Sequence, residues 1–193
     1  METGKKNYKA NYLKFSLALI LCLIVRLIPF RAPNVEPILG AMMPVSRAYG
    51  AFLGFSFAVL SILLYDIISG TLGVQTFFTT FAYGALGLWA ASYFKKDKLV
   101  RKEDGENKWS YVRFAVIGTL FFDAVTGLTV GPLFYDQPFI SSLLGQIPFT
   151  LLHLLGNTAL AFVLSPAIYN YLVRKKKPRP IPFISLLNNP KAI

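Results

Sequence analysis

The feature that most restricts this chain is a series of long apolar runs separated by short polar connections. Most are roughly 17 to 25 residues long, the length at which an α-helix crosses a bilayer core of about 30 Å. In order they read Tyr12–Phe30, Ala48–Ser69, Val74–Phe94, Ser110–Thr126 and Ile140–Val173. A shorter apolar piece, Pro37–Val45, lies after the first. Pro33 and Pro37 forbid a continuous helix through the segment before it. Only 15% of the residues are charged, where a soluble domain carries about a quarter. The pattern predicts an all-α integral membrane protein, a six-helix transmembrane bundle with a short, proline-broken second element.

Charge sets the orientation. The net charge of +11 suggests nucleic acid in a soluble protein, but the basic residues fall in three blocks beside the apolar runs. These are the N-terminus 1–11, the loop 95–109 and the tail 174–193, all of which the positive-inside rule places in the cytoplasm of a cell-membrane protein. Both termini inside requires an even number of crossings. The transmembrane domain then spans 12–173, with no nucleic-acid partner expected. Lys5, Lys6 and Lys9 precede the first run as in a signal peptide, but the run is long and lacks a small-residue cleavage site, so a retained span is expected. Ser46-Arg47 is read as a tight turn before the third run, and Pro148 or Pro166 as a bend in the last.

One motif occurs twice. Tyr65-Asp66-Ile-Ile-Ser69-Gly70 and Phe122-Asp123-Ala-Val-Thr126-Gly127 each end an apolar run, with the aspartates 57 positions apart. The two runs point the same way, so both carboxylates belong to the external face. Carboxylates near a helix C-terminus oppose the macrodipole, and ionisable groups in a membrane face the bundle interior, where they mark function by default. Two readings stand side by side: contact with a ligand, or structural pairing with Arg26 or Arg31. The Ser/Thr-Gly pair reads as a helix stop. Asn34, Glu36 and Gln75 share the external side. Gln146, His153 and Asn157 descend from it at helical spacing as one stripe, either contacting substrate or bonding neighbouring helices. Gly50, Gly54, Gly84, Gly87, Ala90 and Ala91 are small residues at spacings suited to close helix contact.

Reactive chemistry is poorly represented. Cys22 is the sole cysteine, so no internal disulfide forms and no Cys/His metal cluster is suggested. There is no G-x-S-x-G, H-E-x-x-H or phosphate loop; no cofactor and no enzyme activity are expected.

The segments Pro33-Asn-Val-Glu-Pro-Ile-Leu-Gly-Ala41, Tyr65-Asp66 through Phe81-Ala-Tyr-Gly84, and Gly145-Gln-Ile-Pro-Phe149 through Gly156-Asn157 resemble the substrate-binding S component of energy-coupling factor (ECF) transporters. The likeness covers about residues 12–173. It implies a vitamin or other micronutrient bound near the external face, and partnership with a transmembrane T component and a pair of cytoplasmic ATPases. The family's Ala-x-x-x-Ala docking pattern is represented in the first run only by Ala18-x-x-x-Cys22. The sequence thus predicts a binding and translocating subunit for a small nutrient, with Asn34, Glu36, Asp66, Gln75, Asp123, Gln146, His153 and Asn157 as pocket candidates. The competing expectation is a structural scaffold of a cell-envelope assembly, similar to rod-shape membrane subunits. A third, a membrane enzyme, would use Asp123 and His153 as acid and base.

Overall fold

The computed structural model describes residues 2–29, 35–96 and 108–173. Arg31 and Asn34, most of the basic loop and the tail from 174 lie outside the described residues. The described chain is helical throughout: α1 (Glu2–Arg26), α2 (Pro37–Tyr49), α3 (Ala51–Ser69), α4 (Val74–Lys96), α5 (Lys108–Gly127), the short α6 (Val130–Phe134) and α7 (Phe139–Val173). Among the described residues, three segments are long and apolar enough to cross a membrane: α3, Lys108–Phe134 and α7. Their outward faces carry large apolar side chains such as Phe52, Leu144, Leu151, Leu155 and Val163, as lipid contact requires. α4 is long enough at 23 residues, but Gln75, Thr76, Thr79, Thr80 and its glycines dilute its apolar character.

Helix α2 is the centre of the bundle. Every residue from Pro37 to Ser46 is buried, so over that stretch no face is left for lipid or water. It packs against α7, α3 and α4, and to a lesser extent α1 and α5. A helix apolar on all sides belongs in such a place. Its 13 residues rise about 20 Å, short of the hydrocarbon thickness. Pro37 sits in the first turn, where a missing N–H costs nothing.

The chain departs from expectation at several joints. α1 begins at Glu2 rather than at the apolar run, because Lys and other straight-chain residues extend a helix readily. Ser46 and Arg47 are inside α2, not in a turn; the reversal is at Gly50 (φ 91°), a left-handed angle that glycine adopts without penalty. α7 continues through Pro148 and Pro166 as one 35-residue helix.

Close contact at the centre depends on missing side chains. Gly54 of α3 faces Gly87 of α4, and a Cβ on Gly87 would stand 2.7 Å from the Gly54 backbone. Ser46 of α2 fills the same crossing and donates its hydroxyl to the Gly87 carbonyl at 3.0 Å. On the other side of α2, Ser165 of α7 donates to the Gly40 carbonyl at 2.7 Å.

Side-chain contacts sort the helix ends into two groups. At one end, Arg47 of α2 donates to the Tyr111 hydroxyl of α5 (3.0 Å) and lies over the Tyr169 ring of α7 (4.0 Å). Lys14 of α1 donates there to the Leu172 carbonyl at the C-terminus of α7 (2.7 Å). At the other end, Arg26 closes α1 against the start of α2 and the second half of α3.

Candidate functional site

The polar centre lies between α5 and α7, which run antiparallel. Spacing of four on α5 puts Thr119 and Asp123 on one face, and the same spacing on α7 aligns Asn157 with His153. The result is two rungs. Asn157 Nδ2 donates to Thr119 Oγ1 at 2.9 Å, and His153 Nδ1 meets Asp123 Oδ1 at 2.8 Å. Asp123, His153 and Asn157 are each at most 2% exposed. With Asp123 as a carboxylate, Nδ1 carries the proton and donates it to Oδ1.

Aromatic rings close around this pair. Phe122 and Phe149 each approach the His153 ring edge-on at 5.6 Å. The Tyr83 ring of α4 lies 4.3 Å from that of Phe122. Tyr83 is within electrostatic reach of Asp123, Glu36 and Arg26, so it stands between the α5–α7 rungs and the Arg26 end of the bundle.

The remaining candidates divide into those near this centre and those in the framework. Gln146 lies on the same stripe of α7, bonded to Thr150 Oγ1 at 3.3 Å, with its amide over Gly127. Glu36 binds Arg26, whose Nε donates to Oε2 at 3.0 Å. Arg26 also donates to the Ser61 carbonyl at 2.7 Å and stacks 3.9 Å from the Tyr65 ring centre. Arg26 is therefore not the partner of either aspartate. Asp66 is answered locally: Thr76 Oγ1 donates to Oδ2 at 2.6 Å and Thr71 Oγ1 to Oδ1 at 3.3 Å. It locks the α3–α4 turn. Gln75 is exposed in that turn and donates to the Thr71 carbonyl at 3.0 Å, apart from the α5–α7 rungs.

The repeated motif thus has two fates. Gly70 takes a left-handed C-cap (φ 70°), as a helix stop should. Gly127 does not share that angle; a side chain there would overlap the Gln146 amide.

Four buried polar atoms around the rungs have no hydrogen-bond partner among the described residues: Asp123 Oδ2, His153 Nε2, Asn157 Oδ1 and the Tyr83 hydroxyl. Buried polar groups are satisfied in the great majority of cases, and each exception asks for an explanation. Chemically, the set is rich in acceptors. His153 and Asp123 make two members of a catalytic-triad arrangement, and no described residue is hydrogen-bonded to Nε2. Two participants escape a reading of the sequence alone. Thr119 is visible as the residue one turn before Asp123. Tyr83, set in an apolar run, carries no such signal.

An apolar groove of about 590 Å³ lies elsewhere, between Phe55, Val59 and Leu63 of α3 and Phe77, Phe81 and Leu88 of α4. A scan against protein-family models and searches of curated proteins and of solved structures found no match to this chain.

Proposed function

We propose that this chain is the substrate-binding and translocating subunit of an ECF-type uptake transporter for a small polar nutrient. It sits in the cell membrane with six crossings and both termini in the cytoplasm, and works with a T component and an ATPase pair. The observation carrying this reading is the set of buried acceptors without partners around Asp123, His153 and Asn157. Polar groups at membrane depth are costly, and leaving them unpaired inside a bundle fits a place where a solute completes them.

Ligand-release mass spectrometry on the purified protein tests this. A solute should be retained by the wild type and lost on Asp123→Ala and His153→Ala; retention unchanged in both variants removes the site. Co-purification with a transmembrane partner and two ATPases tests the energised complex. A scaffold subunit of a cell-envelope assembly is favoured instead by the locks at Asp66 and Arg26, which consume their charges inside the fold. It predicts no retained solute and stable association with envelope proteins.

A further inference from the structure

Resting on the binding-subunit reading, we infer that the solute is a small organic cation bearing N–H donors, held by Asp123 Oδ2, His153 Nε2 and Asn157 Oδ1. The first ground is the donor and acceptor balance. Asn157 spends one amide N–H on Thr119 and His153 spends Nδ1–H on Asp123. What remains without a partner is a carboxylate oxygen and an amide carbonyl, both acceptors, and the imidazole Nε2. Tyr83 adds a hydroxyl that can turn either way. A carboxylate-bearing or phosphate-bearing solute would face acceptors with its own acceptors.

Charge gives the second ground. Among the described residues, the end of the bundle holding Arg26 and the aspartates has four carboxylates, Glu36, Asp66, Asp123 and Asp136, against the one guanidinium, and that guanidinium is bonded to Glu36. Asp123 keeps Oδ2 without a hydrogen-bond partner among the described residues. It also lies in the last turn of α5, where the helix dipole adds negative potential. A cation balances both, and in a medium of low dielectric the balance matters more than in water. The rings of Phe122, Phe149 and Tyr83 present apolar faces and edges suited to a flat or compact cation.

The test uses benzamidinium, a flat cation with paired N–H donors, on the detergent-solubilised full chain. Benzoate and benzyl alcohol serve as probes of the same ring without the charge or the N–H groups. Equilibrium dialysis should show saturable binding of benzamidinium and none of the other two. Asp123→Asn keeps the shape and the His153 bond, and should weaken benzamidinium by about 30-fold or more, the scale of losing one partner of a buried charged pair. Equal binding of benzoate or benzyl alcohol overturns the cation assignment; that comparison needs no variant and stands if Asp123→Asn does not fold. Unchanged benzamidinium affinity in folded Asp123→Asn overturns the site. If mass spectrometry releases an anionic solute, or one lacking N–H groups, the cation class falls and the binding subunit stands. If no solute is released and no probe binds, both fall.

Discussion

Replacing Gly87 by alanine adds one methyl group at the narrowest point of the bundle. The new Cβ would stand 2.7 Å from the carbonyl carbon and oxygen of Gly54 and 2.8 Å from the Phe55 nitrogen. All three are backbone atoms, so no side chain can swing aside. To reach an ordinary contact near 3.4 Å, α3 and α4 must separate by more than half an ångström. That movement stretches the 3.0 Å bond from Ser46 to the Gly87 carbonyl. Overpacking of a filled core costs about 1–3 kcal/mol. Weakening an interhelical bond in a membrane protein adds about 0.6 kcal/mol, rising to about 1.7. The sum, about 2–5 kcal/mol, corresponds to a fall in Tm of roughly 4–20 °C for a chain of this size. The assay is thermal unfolding in detergent, with Gly145→Ala as the control. Gly145 is in α7 with nothing within 4 Å of an added Cβ, so alanine there should be neutral or raise stability by up to about 1 kcal/mol. If Gly87→Ala melts with Gly145→Ala, the packing of α2, α3 and α4 is not as described.

Other expectations follow from the same contacts. Arg26→Ala removes an ion pair, a carbonyl bond and a stacked ring together and should cost about 3 kcal/mol, read as lost thermal stability; Arg26→Lys should recover part of it, since a lysine cannot reproduce the planar fork. Asp66→Ala strands the Thr76 hydroxyl and should lower stability by about 1–3 kcal/mol, whereas a melting curve equal to wild type removes its role as the α3–α4 lock. For orientation, Leu72→Cys and Gly105→Cys in a Cys22→Ser background should react with a membrane-impermeant maleimide from opposite sides, Leu72→Cys from outside. Labelling of both from one side refutes the six-crossing arrangement.

The sequence carried the helices because apolar runs of membrane length have few alternatives, and it carried the odd nature of residues 37–45 because they were too short to cross and too apolar to leave. Partners were harder to see. Asp66 and Asp123 sit in nearly the same local sequence, yet one is answered by threonines five and ten residues on and the other by a histidine 30 residues on. A motif shows what a residue is beside in the chain, not what the next helix brings to it. Arg26 illustrates this: it meets Glu36 rather than an aspartate because the connection into α2 brings that glutamate back beside α1. Tyr83 was illegible because an aromatic residue in an apolar run looks like packing until Phe122 and Asp123 are placed next to it.

The burial of α2 on every side also has a meaning for biogenesis. A segment of 13 residues is too short to be held in a bilayer as an autonomous span, and the helix that covers much of it, α7, begins about 90 residues after α2 ends. At a synthesis rate of about 5–20 residues per second, α2 emerges several seconds before its cover exists. During that interval its Met42, Met43 and Ile38 side chains, fully enclosed in the finished protein, must be sheltered by α1, by the insertion machinery or by lipid at the interface. α7 is therefore the helix that commits the fold, and truncations before Phe139 should yield chains that insert but fail to mature.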